Sequence, residues 1–327
     1  MKLRITHQTR YDYFPAVETA QHMAYLQPVS NPYQRLLNHA LLISPTPAQM
    51  TQTLDVFGNP RCFFSLQTPH SVLDVVAHSV VSTQTRALPA SRVTWEQARE
   101  QFRYQSGLPF DAATEFVFAS PFCPKAPEFA AYARPSFASG ISVLAAAQDL
   151  MQRIHSEFVY ESQSTHINTP ALQALAQRKG VCQDFAHIMI ACLRSMGLAA
   201  RYVSGYLLTQ AAPGTVKLRG SDASHAWVAV YAPDLPAGQR WCDFDPTNSR
   251  AGWHSPGEDY VTLATGRDFS DVSPLRGVIH GGASHTLTVG VTVEPVLDEM
   301  QSQSQTSSQS QTQSQSQSQS QTAKEIP

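Results

Sequence analysis

Cys182, His225 and Asp245 are the residues whose types and order could carry covalent chemistry in this chain. A thiol becomes a strong nucleophile when a base takes its proton. An imidazole can be that base. A carboxylate behind the imidazole fixes its tautomer and favours the imidazolium form. Cys182 precedes His225 by 43 residues and His225 precedes Asp245 by 20. The chemistry such a set would perform is attack of sulfur on a carbonyl carbon.

The elements that must position these groups can be read from periodicity. Gly180-Val181-Cys182-Gln183-Asp184-Phe185-Ala186 opens a helix whose apolar stripe is Phe185, Ile188, Met189, Cys192 and Leu193, with Gly197 past its end. The sulfur therefore sits in a first turn, where orphan N–H groups and the positive end of the helix dipole stabilise a thiolate. The same N–H groups could hold an oxyanion. His225 begins a strand, His225 to Tyr231, and shares one face with Trp227, Ala229 and Tyr231. Arg240 to Phe244 reads as the next strand and stops at Pro246. If these two strands pair antiparallel through the loop Ala232 to Gln239, a carboxylate at the second strand's end can reach the imidazole.

Several neighbours compete for roles. Asp243 lies two residues before Asp245 on the same strand face, and the Pro246 strand end favours Asp245. Asp184 and His187, three apart on the cysteine helix, could form a metal pair, but a dipole partner and a surface hydrogen bond are the simpler readings. A metal set of Cys182, His187 and His225 lacks paired ligand spacing, so neither a metal nor a cofactor is expected. Trp227 could shield the imidazole, Gln183 could donate to an oxyanion, and Tyr206 could line a pocket.

Around this constellation the chain divides into four expected parts. Residues 1–85 are β-rich: Leu3 to Thr6, Thr9 to Tyr13, His39 to Ile43 and Val72 to Val81 are strand-like, and Thr53 to Phe57 with Arg61 to Leu66 flank a Gly58-Asn59-Pro60 hairpin signal. Residues 86–140 form a mixed helical connector, with Thr94 capping a helix from Trp95 to Phe102. Residues 141–298 form the core: a helix over Val143 to His155, one opened by Thr169 at the N-cap and Pro170, the cysteine helix, then strands including Ala200 to Leu208 and a last one over 284–294. Residues 299–327 are a tail; 301–321 hold only Gln, Ser and Thr and cannot bury enough apolar area to order themselves. Helices followed by an antiparallel sheet make the fold class α+β.

Bulk properties narrow the function. The 327 residues are 42% hydrophobic with a net charge of −2, which gives no basic field for nucleic acid or anionic lipid. No apolar run is long enough for a membrane span, and Met1 to Phe14 lacks the apolar stretch of a secretory signal. The five cysteines are odd in number with no C-x-x-C pair, as expected of free thiols in a reducing compartment. A cytoplasmic protein is expected, binding neither nucleic acid nor membrane; its oligomeric state is not legible.

The segment Gly180 to Gly205, GVCQDFAHIMIACLRSMGLAARYVSG, resembles the catalytic-cysteine segment of the bacterial transglutaminase-like superfamily. So do His225-Ala226-Trp227 and Phe244-Asp245-Pro246-Thr247-Asn248. The N-terminal β region resembles the domain that precedes the core in that family, and Arg267 to Gly277 resembles its segment after the core. The resemblance spans roughly residues 1–296. It implies a papain-like packing of the cysteine helix on an antiparallel sheet, with Cys182, His225 and Asp245 as catalytic residues. It also implies a peptide or protein amide as substrate. Crosslinkers, deamidases, peptidases and amidases all occur in the superfamily, so water and amine both remain open as acyl acceptors. The competing reading is a non-catalytic binding or scaffold module with a degenerate site, and the presence of all three residues favours the enzyme.

Overall fold

A computed structural model describes residues 1–103, 106–107, 110–161, 169–209, 224–282 and 284–296. The Gln/Ser-rich tail lies outside the described residues.

The N-terminal sheet is built on β1 (Lys2–Ala24), whose first half buries Leu3, Ile5, His7 and Thr9 and turns Arg4, Gln8 and Arg10 outward. The two short strands expected there are one, since no Gly, Pro or Asn interrupts the alternation between Thr6 and Thr9. β2 (Gln34–Ser44), β3 (Gln49–Leu54), β4 (Pro60–Leu66) and β5 (His70–Thr83) follow, in the spatial order β2-β5-β1-β4-β3. The β3–β4 hairpin closes where Leu54 faces Pro60. Its turn is held by Asp55, whose Oδ1 accepts from the Phe57 and Asn59 amides at 2.8 Å each, and Gly58 supplies a φ of +83°.

Four α-helices precede the site among the described residues. α1 (Trp95–Glu100) carries the expected Thr94 cap, reinforced by the Gln97 side chain, and ends sooner than expected. α2 (Pro127–Ala133) starts on proline, and α3 (Val143–Glu157) is capped by Ser142. β6 (Val159–Tyr160) leads toward α4 (Ala171–Gln177), where Pro170 is itself the N-cap and Thr169 lies outside, one position off the expected arrangement. β7 (Lys179–Gly180) pairs parallel with β6, and α5 (Cys182–Ser195) begins two residues later.

α5 is buried on every side from Asp184 to Arg194, beyond the single stripe expected. β8 (Ala200–Leu207) and β9 (Ser224–Tyr231) cover one flank, and α2, α3 and α4 the others. Even Arg194 is enclosed; its guanidinium donates to the carbonyls of Phe116 at 2.9 Å, Ala200 at 2.9 Å and Arg267 at 2.6 Å, and to Ser120 Oγ at 3.0 Å. A buried arginine needs such partners in place of water.

The second sheet has the order β11-β10-β9-β8-β12, with β10 (Trp241–Asp245), β11 (Arg250–Trp253) and β12 (Tyr260–Gly266). The expected antiparallel pairing of the two site strands is present: Trp241 faces Tyr231 and Phe244 faces Val228. After α6 (Phe269–Val272), β13 (Leu275–Gly281) and β14 (Ser284–Pro295) return to pair with β1. The last alternating strand therefore joins the N-terminal sheet and not the sheet of the core.

One continuous core links the two sheets. Leu3, Ile5, Val81, Val291 and Val293 of the first pack in the same cluster as Leu150, Ile154, Ile188, Met189, Val228 and Phe244. Each fully buried aliphatic side chain contributes about 1.5–3 kcal/mol of transfer free energy. The outer edge of β12 is covered by two side-chain amides. Gln34 accepts from Thr262 N–H at 2.7 Å and donates to its carbonyl at 2.8 Å, and Asn59 does the same to Thr265 at 2.8 Å and 2.7 Å. Each amide imitates a neighbouring strand and satisfies an edge that would otherwise be open. No helix among the described residues is long and apolar enough to cross a membrane.

Gly205 in β8 faces His225, and a Cβ there would collide with the Val261 carbonyl oxygen and the Trp227 ring. Gly205→Ala is expected to cost about 1–3 kcal/mol by overpacking. Urea unfolding checks it; an unchanged midpoint would show that β8 and β12 can separate freely.

Candidate active site

Cys182 is the first residue of α5 and is half-buried, whereas Cys62, Cys123, Cys192 and Cys242 are buried. The turn before it is fixed locally. Asp184 Oδ2 accepts from the Val181 amide at 2.9 Å, and Gly180 leaves room for that carboxylate, since a Cβ at Gly180 would stand 2.7 Å from Asp184 Cβ. The Glu161 amide donates to the Gly180 carbonyl at 3.0 Å. The sulfur is thus presented from a pinned turn at the N-terminal end of α5, the end toward which the helix's backbone N–H groups point.

His225 is the second residue of β9 and is 9% exposed. Its Nε2 lies 2.7 Å from Asp245 Oδ2, and the Cys182 side chain is near enough to the ring to help raise its pKa. With Nε2 committed to Asp245, Nδ1 is the nitrogen left for the sulfur. Asp245, the last residue of β10, is fully buried. Its carboxylate also accepts from Asn248 Nδ2 at 2.7 Å, Tyr260 Oη at 2.7 Å and the Thr247 amide at 2.8 Å.

These contacts set the charges. Burial alone would push the His225 pKa down, but the hydrogen bond to Asp245 and the nearby Cys182 side chain outweigh it and raise the value to about 10. Burial would raise the Asp245 pKa, but the hydrogen bonds from His225, Asn248 and Tyr260 hold it below the usual carboxylate range. The pair is poised as imidazolium and carboxylate.

The other candidates fall out by contact. Asp243 accepts from Trp227 Nε1 at 2.7 Å and not from the histidine, so the two strand-end aspartates have separate partners. Burial raises the Asp243 pKa to about 6 against the Trp227 bond and the charge of Arg201. Trp227 stacks beside His225 at 6.1 Å between ring centroids, as a wall of the imidazole. Asp184 and His187 form no metal pair: Asp184 caps the helix turn, while His187 Nε2 accepts from the Phe269 amide at 3.2 Å and its ring stacks on Phe122 at 5.2 Å. Burial pushes the His187 pKa down to about 3. Cys182 and His225 meet without His187, and no cluster of three His, Cys, Asp or Glu among the described residues is arranged to hold a metal. Tyr206, expected near a pocket, is buried and bonds His7 Nδ1 at 2.8 Å, tying the two sheets together. Tyr260 and Asn248 escaped the sequence reading as site residues; the run Tyr260-Val261-Thr262-Leu263-Ala264 carries a strand signal that could have found the first.

The fold and site define a thiol–imidazole–carboxylate arrangement on a helix and an antiparallel sheet. Residues 3–82 match the bacterial transglutaminase-like N-terminal region, and residues 130–246, which hold Cys182, His225 and Asp245, match the transglutaminase-like superfamily. The Mycobacterium tuberculosis protein Rv2569c is 37% identical over 305 residues, covering 90% of this chain and 93% of its own length. The Mycobacterium leprae protein ML0607 is 31% identical over 296 residues, covering 89% and 98%. In fold, the chain is similar to a candidate cysteine protease from Cytophaga hutchinsonii, with a TM-score of 0.66 at 20% identity over 91% of this chain and 92% of that one. The chain belongs to the transglutaminase-like superfamily.

A histidine whose pKa rises on folding stabilises the fold fully below its unfolded value and loses that contribution as pH climbs through the folded value. For His225 the window runs from 6.5 to about 10. The stability lost in His225→Gln is expected to be largest at and just below pH 6.5 and to shrink steadily as the pH rises toward about 10, read by urea unfolding. A difference that stays constant with pH would show that the imidazolium charge is not what the site stabilises.

Proposed function

We propose that this chain is a thiol-dependent amide-bond enzyme, with Cys182 as nucleophile, His225 as acid–base and Asp245 holding His225. The observation that carries the reading is the juxtaposition of Cys182, at a helix start, with a His225 ring that it influences electrostatically and that is hydrogen-bonded at 2.7 Å to Asp245. Membership of the transglutaminase-like superfamily supports it, as does the likeness in fold to a candidate cysteine protease.

The chemistry follows from the geometry. With the thiol proton already resting on His225 as imidazolium, the Cys182 sulfur attacks the carbonyl carbon of a peptide or protein amide. The carbonyl oxygen becomes an oxyanion that the first-turn N–H groups of α5 are placed to receive. The imidazolium then gives its proton to the departing amine, and the C–N bond breaks to leave a thioester on Cys182. A water or a second amine, losing its proton to His225, attacks the thioester and frees the sulfur. Water yields an acid and an amine a new amide; the first makes a peptidase or amidase, the second a transglutaminase-type transferase. A reducing cytoplasm suits the five free thiols.

A thiol-reactive probe at limiting concentration should label Cys182 ahead of the four buried cysteines, and labelling should fall sharply in Cys182→Ala. Unchanged labelling in that variant would refute the assignment. Against a peptide-amide library, with and without an added primary amine, Cys182→Ala should lose at least about a thousandfold in kcat/KM. The product, acid or substituted amide, reads out the acceptor.

A further inference from the structure

On the same sheet, away from the proposed catalytic end, lies a cavity of about 650 Å³. It is lined by Phe57 from the β3–β4 turn, Phe110 and Phe116 before α2, and Trp241 of β10, with Arg201 of β8 and Arg267 beside them. The aromatic rings are in contact: Phe57 and Phe116 are 5.4 Å apart, and Phe116 meets Trp241 edge-on at 5.3 Å. Both the size and the mostly apolar lining are those of a small-molecule site. Trp241 is four residues from Asp245 along β10, about 13 Å at strand rise, so the cavity is separate from the thiol.

The two arginines differ. Arg267 is already engaged, bidentate to Asp271 at 2.9 and 3.0 Å and 3.6 Å from Glu115. Arg201 is not. Its guanidinium lies over the Trp241 ring at 4.2 Å, yet among the described residues it makes no hydrogen bond and no ion pair, and its Nε is sealed from solvent without a partner. The nearest acid that influences it, Asp243, has an oxygen committed to Trp227 Nε1 at 2.7 Å. Burial pushes the Arg201 pKa down to about 10, the mark of a cation without enough compensation. A half-buried guanidinium whose Nε is shielded from water without a partner is costly, and arginine's planar fork matches a carboxylate or phosphate.

We propose that this cavity is a binding site for a small monocarboxylate with an aromatic or branched apolar body, its carboxylate held by Arg201 and its body packed among Phe57, Phe116 and Trp241. A single charge is favoured over a phosphate dianion because Glu115 and Asp271 stand on the same rim and leave Arg201 as the one uncompensated cation among the lining residues. The site is independent of the amide chemistry and its occupancy does not require Cys182.

Calorimetry on the full chain carrying Cys182→Ala, titrated with phenylacetate, phenylacetamide and phenyl phosphate, tests it apart from turnover. Phenylacetate is expected to bind at least about tenfold tighter than the neutral amide and the phosphate, and Arg201→Gln to remove that preference. Phe57→Glu, which puts a like charge on the rim from a surface turn, should weaken phenylacetate about tenfold while leaving Arg201 in place, and serves if Arg201→Gln fails to fold. Absence of phenylacetate binding overturns the proposal. So does equal affinity for acid and amide, or binding unchanged in Phe57→Glu and in a folded Arg201→Gln. Tighter phenyl phosphate would replace the carboxylate with a phosphate ester.

Discussion

A carboxylate with no solvent contact, Asp245, sets the terms for much of this molecule. An ionised carboxylate in a protein interior is tolerated only when every lone pair has a donor; removing one partner of such a pair costs about 3–5 kcal/mol. Here the donors are the His225 imidazole, the Asn248 amide, the Tyr260 hydroxyl and the Thr247 backbone. They come from β9, from the turn after β10 and from β12, so three separate pieces of chain must converge before the charge is stable. The turn is itself tied to the end of α3, where His155 Nδ1 lies 2.9 Å from the Thr247 carbonyl. The histidine is held in one orientation by this network, which is the preorganisation that the proposed proton transfer would use.

The second constraint is the edge of the sheet that supplies Tyr260. β12 is an outer strand, and an open edge would let it drift or pair elsewhere. The N-terminal sheet closes it with Gln34 and Asn59, and Tyr206 adds a bond to His7. The return of β13 and β14 to β1 then brings the end of the described chain back onto its beginning. The N-terminal β region is thus continuous with the core that carries the site, as the shared cluster of Leu3, Ile5 and Val293 with Ile188 and Val228 also shows.

Arg194, which is buried, and Arg201, which is half-buried, show how differently two inward-reaching cations can be treated. Arg194 spends its donors on carbonyls and a hydroxyl, and it knits the loop before α2, β8 and the segment after β12 around the cysteine helix. Among the described residues Arg201 leaves its donors unspent beside a row of aromatic rings. Structural need explains the first, whereas an unspent guanidinium at a cavity wall is the pattern of recognition.

Local sequence determined much of what matters here. Gly180 and Asp184 around Cys182, the Thr94 and Ser142 caps, the alternation of β9 and the Pro246 stop after β10 are short-range signals, and each places its residue within a turn or two. That is why Cys182, His225 and Asp245 could be picked from order and context. Longer-range facts were out of reach. Nothing local says that β14 pairs with β1 across most of the chain, since an alternating strand fits any partner with the right face. Nothing near Tyr260 says that its hydroxyl ends on Asp245, and nothing in β10 alone assigns Asp243 to a tryptophan and Asp245 to a histidine. Hydrophobic period and capping are properties of a few consecutive residues. Which buried polar group finds which partner is settled only when distant strands pack and the interior charge must be satisfied.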